Sequence, residues 1–191
     1  LLGWSHAVQS AADETDVWRI SVRDSIRHDD NLFRLSDNSG SVALLPPGAS
    51  RSDTINKASV AGLLNFELSR QKIILEAQID TNHYFSNSEL DHISTDDHAL
   101  WQWSLGKYFT GDIGYNYRIY QSSFTNNTII GKDLITENAS FAIGQFAWDP
   151  NWRIRGGINW TKAQHSEVSR NTLDRQTSGF LTGFDYISTA N

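Results

Sequence analysis

Residues 60–80 read VAGLLNFELSRQKIILEAQID, and this stretch decides the fold. Apolar and polar residues alternate with a period of two on both sides of Ser69-Arg70-Gln71-Lys72. That pattern predicts two β-strands joined by a tight turn. The same arrangement returns near residue 110, at Phe109-Thr110-Gly111-Asp112, and near residue 150, at Trp148-Asp149-Pro150-Asn151. The chain is therefore predicted to consist of successive β-hairpins.

Longer polar segments separate these hairpins, at residues 27–53, 86–96, 125–134 and 164–175. Barrels of the bacterial outer membrane combine short periplasmic turns with longer extracellular loops. The alternation of short turns and long loops therefore predicts an all-β fold, an antiparallel up-and-down transmembrane β-barrel, over residues 16–188.

The length of the predicted strands favours a membrane barrel over a soluble β-sandwich. Strands that cross a bilayer at a tilt need ~9–11 residues, whereas strands of soluble sheets typically have ~5–6. Alternation in strand six predicts that Ala139, Phe141 and Ile143 share the apolar, lipid-facing side. The predicted strands are Asp16–Ile26, Thr54–Ser69, Lys72–Phe85, Asp97–Phe109, Asp112–Phe124, Ile135–Trp148, Trp152–Ala163 and Gln176–Ser188.

Both ends of the sequence suggest a piece of a longer exported protein. The apolar Leu1-Leu2-Gly3-Trp4 followed by Ser5-His6-Ala7 resembles the end of a secretory signal peptide, so residues 1–12 are interpreted as a signal-peptide remnant. The chain ends on Thr189-Ala190-Asn191 and not on the aromatic residue usual for outer-membrane barrels. We therefore expect these to be the N-terminal eight strands of a larger barrel.

Composition narrows the function classes. The chain has 0 Cys, so a disulfide framework and a thiolate metal site are excluded. The net charge of -6 argues against nucleic acid as the main partner. No apolar run approaches the ~18 residues of a transmembrane helix. We expect outer-membrane lipids as partners, no cofactor and no metal.

Three short motifs carry a resemblance to a family. Strand one leads into Asp29-Asp30-Asn31-Leu32-Phe33-Arg34, and Ser52-Asp53-Thr54-Ile55 leads into strand two with Ala61-Gly62-Leu63. This arrangement resembles the start of EpsL-type outer-membrane proteins of exopolysaccharide biosynthesis, which are related to the "β-barrel porin 2" group. The resemblance covers roughly residues 16 to 188.

The resemblance implies a location in the bacterial cell outer membrane and a non-enzymatic part in exporting or placing exopolysaccharide, with polysaccharide and other secretion-complex proteins as partners. It supplies no catalytic residues. A general diffusion porin is the first alternative, and a membrane-anchored adhesin or enzyme is the second.

Charged residues on the polar sides of the predicted strands are the candidate site. They would form a charge ladder that selects solutes in a pore. Alternatively, they would pair with one another, which neutralises interior charge and fixes the register of the strands. The lumen-facing candidates are Arg19, Arg23, Glu67, Glu76, Asp80, Arg118, Arg153, Arg155 and Asp185.

The aromatic residues and the histidine motifs are predicted to have structural roles and not catalytic ones. Tyr and Trp rings favour the lipid headgroup level, so aromatic residues at both strand ends are predicted to form girdles, and only Tyr84 and Tyr120 would face inward to stack on sugars. The His-x-Ser triplet at His92 and the His/Asp groups near His28 and His98 are interpreted as solvated loops. The predicted girdle residues are Tyr108, Phe109, Trp148 and Trp152 at one end, and Tyr84, Phe85 and Phe124 at the other.

Overall fold

The computed structural model describes residues 17–36, 45, 47–124 and 131–188. These residues form one eight-stranded antiparallel sheet in which each strand pairs with its sequence neighbours, in the order β1 to β8. The all-β, up-and-down arrangement is thereby confirmed. The strands are β1 Trp18–Asp29, β2 Asp53–Leu68, β3 Gln71–Tyr84, β4 His92–Leu105, β5 Phe109–Gln121, β6 Leu134–Phe146, β7 Trp152–His165 and β8 Arg175–Tyr186.

The sheet is open. Within the described residues β1 pairs only with β2, and β8 pairs only with β7. Both outer strands therefore present an unpaired backbone edge, which is a site where another strand can add. The predicted signal-peptide remnant at residues 1–12 lies outside the described residues.

The three tight turns lie within about three residues of their predicted positions. Residues 69–70 connect β2 to β3, and residues 147–151 connect β6 to β7. The second turn occupies residues 106–108, because β5 already begins at Phe109. Ser69 has φ 58° and Gly106 has φ 62°, the left-handed conformation that these tight connections require and that glycine adopts without steric cost.

Two of the longer connections contain short helical turns. The β3–β4 connection contains the 3₁₀ turn Ser88–Leu90, and the β7–β8 connection contains the 3₁₀ helix Val168–Leu173. No helix in the described part of the chain is long and apolar enough to cross a membrane.

Register assigns every strand residue to one of two faces, because directly paired residues of an antiparallel sheet point to the same side. The first face, here called the apolar face, carries nearly all of the exposed large apolar side chains of the described strands; Leu181 lies on the other face. Phe180 is the most exposed of them, at 85%. Others on this face are Trp18, Ile20, Val22, Val60, Leu64, Phe66, Leu68, Leu75, Ile79, Trp101, Leu105, Ile113, Ile154, Ile158 and Phe184.

The apolar side chains concentrate toward the tight turns. In β2, for example, the apolar-face residues from Val60 to Leu68 are apolar apart from Gly62, whereas Asn56 at the loop end bonds Asp24 of β1 at 2.8 Å. Asp97 of β4 and Lys162 of β7 lie on the same face, also toward the loops. The apolar part of a strand is thus about 9 residues long, which matches a tilted crossing of a bilayer core.

Aromatic rings join neighbouring strands at the tight-turn end of the apolar face. Phe109 stacks on Phe146 with 4.7 Å between ring centroids, and Trp152 lies 4.9 Å from Phe184 and 4.6 Å from Tyr186. Trp148 lies 6.1 Å from both Phe146 and Phe184. These contacts connect β5 to β8 in a continuous aromatic row.

Strand six corrects the sequence-based face assignment. Phe141 pairs with Gly114, and Gly114 shares the polar face with Asn116 and Arg118. Phe141, with Ala139 and Ile143, therefore lies on the polar face and not on the lipid-facing side. Alternation within one strand shows which residues share a face, but only pairing with its neighbours shows which face that is.

Gly114 makes room for the Phe141 ring. A Cβ atom added at Gly114 would lie 2.2 Å from the Phe141 Cε1 atom, well inside van der Waals contact. We expect Gly114→Ala to lower the free energy of unfolding by roughly 1–3 kcal/mol through overpacking. Adding Phe141→Ala should relieve this loss, which denaturant titration of the single and double variants would measure. Equal losses in both backgrounds would contradict the placement of Phe141.

Candidate functional site

The second face of the sheet, here called the polar face, carries all nine lumen-facing candidates. The lumen assignment itself stays a prediction, because the sheet is open. Arg19 and Arg23 of β1 line one cavity of about 350 Å³ together with Asp96 and His98 of β4. Side chains three strands apart meet in this cavity, so the sheet curves toward its polar face.

A second cavity follows the polar face toward the tight turns. Its volume is about 530 Å³, and Lys72 of β3, Asp112 of β5 and Arg155 of β7 contribute to its lining. We call the two cavities together the polar groove.

Ion pairs between strands neutralise much of the charge on the polar face. Asp80, which pairs with Lys57, also accepts hydrogen bonds from Gln78 at 2.8 Å and from Ser94 at 3.4 Å. Pairs of this kind tie neighbouring strands together and neutralise charge, as the second of the two predicted interpretations requires. The pairs are Lys57–Asp80 at 2.8 Å, Lys72–Glu67 at 3.3 Å, Arg118–Asp96 at 3.5 Å, Arg155–Asp185 at 3.0 Å and Arg175–Glu137 at 3.6 Å.

Pairing leaves a minority of the candidates without a partner of opposite charge. Among the described residues, Arg19, Arg23, Glu76 and Arg153 make no ion pair with one another or with any other side chain. Three of these four line the same 350 Å³ cavity. That part of the polar groove thus offers charges that are available to a ligand.

The first long connection folds onto the polar face at its loop end. We call its described part, residues 30–36, 45 and 47–52, the strap. Leu32 and Phe33 of the strap are only 4% and 3% exposed, and they pack with Ile55, Tyr84 and Leu90 in a small apolar core. Ile55 and Tyr84 are directly paired residues of the polar face, so the strap covers that face.

The strap extends from β1 to the end of β5. The Phe33 ring meets Phe124, which follows β5, edge to face with 5.0 Å between centroids. Below this contact a cavity of about 220 Å³ is lined by Arg27, Asp29 and Arg34 on the β1 side and by residues 121–124 on the β5 side. The strap therefore narrows the loop end of the polar groove.

A buried polar network holds the strap in place. Asn87 is 0% exposed and Asp53 is 1% exposed. Asn87 donates from its backbone to Asp53 at 2.9 Å and from its side chain at 2.7 Å, and its side-chain oxygen accepts from the backbone of Ser50 at 2.8 Å. At the base of the strap, Leu32 donates to the Arg51 carbonyl at 2.9 Å. Satisfied networks of this kind rigidify a segment.

A second buried cluster ties the β5–β6 connection to the β7–β8 connection at the loop end. Asp133 is 1% exposed and accepts hydrogen bonds from His165 at 2.7 Å and from Arg170 at 2.8 Å. Arg170 also donates to Ser122 at 3.1 Å. Burial raises the pKa of Asp133, but the bonds from His165, the Glu167 backbone and Arg170 outweigh it, so the pKa lies below its usual value.

The lowered pKa of Asp133 sets the direction of a pH dependence. A carboxyl whose pKa falls on folding contributes stability above its unfolded-state pKa, and this stability is lost as the pH falls through the folded-state pKa. We expect Asp133→Asn to lower the free energy of unfolding by roughly 1–3 kcal/mol near pH 7. The difference from the wild type should shrink below about pH 4. Thermal melts across pH would measure it, and a difference independent of pH would contradict the role of this carboxylate.

Two predicted aromatic roles are wrong. Tyr84 is buried in the strap core at 6% exposure and is neither a girdle residue nor a surface for sugars, and Phe124 packs on Phe33. Both rings lie on or beside the polar face, where Leu32 and Phe33 of the strap pack against them. Tyr120 remains on the polar face, where the Arg118 guanidinium lies 5.2 Å from its ring.

The histidine motifs do not assemble into a site in the described chain. The His-x-Ser triplet begins β4 and is not in a loop as predicted. Ser94 bonds Asp80 and Asn82, whereas His92 bonds the Leu90 carbonyl at 2.8 Å. His98 bonds Asn116. No group of three His, Asp or Glu side chains within the described ranges is placed to hold a metal ion.

Comparison with protein families, with curated proteins and with solved structures finds no match for this chain. The EpsL-type resemblance therefore stays a prediction, and the polar groove and its strap carry the functional argument.

Sequence reasoning missed the strap core and both buried networks. Asp53 and Asn87 are 34 residues apart, and Asp133 and Arg170 are 37 apart. No spacing pattern within one strand indicates such contacts. The only available signal was the unusual presence of Leu32 and Phe33 in a loop otherwise rich in turn-forming residues.

Proposed function

We propose that this chain forms part of an outer-membrane β-barrel pore and that the strap constricts the pore. The inward fold of the strap over the polar groove carries the proposal. A pore needs a polar, water-accessible interior with a defined narrow point, and a polar face narrowed by an anchored loop meets both requirements.

The apolar face supports a location in lipid. A contiguous exposed apolar surface of this extent marks contact with a membrane or with another protein. The apolar parts of the strands have the length of a tilted bilayer crossing. The aromatic row at the tight-turn end matches the interfacial girdles of such barrels.

The open edges of β1 and β8 support a larger barrel. Unpaired backbone groups cost several kcal/mol each in hydrocarbon, so only closed sheets persist there. We propose that further strands of the same protein pair with β1 and β8, so that the eight strands form one wall of the pore.

The transported material is proposed from the EpsL-type resemblance. Polar side chains along the groove would replace water around sugar hydroxyls while an exopolysaccharide is exported or placed at the surface. No enzymatic step is assigned to this chain. A general diffusion porin would share the barrel and the constriction but would not recognise the polymer.

Planar-bilayer conductance of the full-length refolded protein tests the proposal. We expect discrete conductance steps that the polysaccharide of the host organism reduces. Steps that are indifferent to this polymer would favour a general diffusion porin. No conductance from protein shown to be folded and inserted would contradict a pore and would favour an anchor, an adhesin or an enzyme.

A further inference from the structure

The charge available on the polar face has the opposite sign to the charge of the chain. The whole sequence has a net charge of -6. On the polar face, ion pairs occupy Glu67, Asp80, Asp96, Glu137 and Asp185. Among the described strand residues of this face, three carboxylates make no ion pair, Asp53, Glu76 and Asp112, against four arginines, Arg19, Arg23, Arg27 and Arg153.

The remaining arginines are concentrated on β1. Arg19, Arg23 and Arg27 lie on the polar face at intervals of four residues, and none of them makes an ion pair with a described residue. The Cα atoms of successive arginines are thus about 13 Å apart along the strand. Ser21 and Ser25 lie between them on the same face. We call Arg19, Arg23 and Arg27 the arginine row.

The arginine row connects the two parts of the proposed pathway. Arg19 and Arg23 line the 350 Å³ cavity of the polar groove together with Glu76 and with Asp96, which pairs with Arg118 at 3.5 Å. Arg27 lines the 220 Å³ cavity under the strap with Asp29, which pairs with Arg34 at 2.8 Å. A chain-like ligand that follows β1 would therefore meet a cation in the groove and again at the constriction.

We propose that the arginine row binds an acidic polysaccharide, one that carries a carboxylate at regular intervals. A guanidinium group holds a carboxylate through two parallel hydrogen bonds, which a neutral sugar cannot offer. Evenly spaced cations favour a repeating anion over a single small one, because each further contact is intramolecular once the first has formed. The inference rests on the proposed function and narrows its substrate to a polyanion.

Isothermal titration of the full-length protein in detergent with polygalacturonate, and with dextran as the neutral polymer, tests the row. We expect polygalacturonate to bind and dextran not to bind. The triple variant Arg19→Gln, Arg23→Gln, Arg27→Gln should bind polygalacturonate at least tenfold more weakly. A variant with Arg23→Lys alone should retain part of the affinity, since it keeps the charge and loses the two-point geometry.

A charge-matched control separates the row from a general charge effect. Lys107→Gln, Lys132→Gln, Lys162→Gln removes the same number of positive charges, from the turn after β4, from the β5–β6 connection and from the apolar face. Its affinity for polygalacturonate should equal that of the wild type. Equal affinity in the arginine variant, an equal loss in both variants, or no binding by the wild type would overturn the proposal.

The test is independent of conductance. Binding that depends on the arginine row, in a protein that does not conduct, would support the row and contradict the pore. If the protein conducts but the triple arginine variant binds polygalacturonate as tightly as the wild type, the pore is supported and the role of the arginine row is contradicted. If the triple variant does not fold, the single Gln variants at Arg23 and Arg27 give the same comparison with smaller expected losses.

Discussion

Leu64→Arg should lower the free energy of unfolding of the full-length protein in lipid vesicles by about 2–4 kcal/mol, the range for arginine near the bilayer midplane of a barrel. Leu64 lies on the apolar face, in the middle of the apolar part of β2. The loss arises because the guanidinium group would face hydrocarbon, where it has no partner. Guanidinium titration followed by tryptophan fluorescence would measure it.

Leu63→Arg is the matched control, since it changes the same residue type one position away on the opposite face. Leu63 pairs directly with Glu76 of β3 and with Arg19 of β1, so an arginine there would lie beside one carboxylate and one guanidinium group. These two neighbours have opposite effects and the face is polar, so we expect a clearly smaller loss than at Leu64. Similar losses at both positions would refute the assignment of the two faces.

Phe33→Ala should release the strap. Phe33 is 3% exposed and contacts the ring of Phe124. Truncating a buried phenylalanine typically costs about 3–5 kcal/mol. Because the strap is a local unit, we expect the loss to appear as faster hydrogen exchange of residues 30–36, and as a larger single-channel conductance of the full-length protein.

Phe85→Ala is the control for the strap. Phe85 follows β3 at the same end of the sheet but is 62% exposed, so its truncation should change neither exchange nor conductance. Unchanged conductance with faster exchange in Phe33→Ala would mean that the strap folds as described without narrowing a pore. Unchanged exchange would refute the strap core itself.

Alternation and turn chemistry were sufficient to predict the sheet. The β2–β3 hairpin is the clearest case, since its turn lies between two runs of period two, although the structure places the turn at Ser69-Arg70, one residue before the centre of the predicted Ser69-Arg70-Gln71-Lys72. Local sequence sets such features because hairpin neighbours are close along the chain. The charged candidates on these strands are placed on one face for the same reason.

Strand six shows where this reasoning fails. Both of its faces contain apolar residues, with Ala142 on one face and Phe141 and Ile143 on the other. Hydrophobicity alone favours placing the larger residues toward lipid. Register with β5 decides otherwise, because Gly114 leaves space for the Phe141 ring on the polar face.

The contacts of the strap and of the Asp133 cluster could not be predicted from sequence patterns, for a different reason. Tyr84 alternates correctly with the other polar-face residues, yet it is buried because a loop from elsewhere in the chain packs over it. Contacts such as Asp133–Arg170 join segments that are distant in sequence. Such long-range contacts depend on how several loops meet, which the period of one strand does not encode.

A cysteine scan along β2 tests most directly whether the two faces meet lipid and water. The chain contains 0 Cys, so single substitutions from Val60 to Glu67 each give one reporter within these 191 residues of the full-length protein in vesicles, and any cysteine elsewhere in that protein is first replaced by serine. We expect a water-soluble maleimide to label positions 61, 63, 65 and 67 and to spare positions 60, 62, 64 and 66. Labelling of both sets would contradict a membrane-spanning β2.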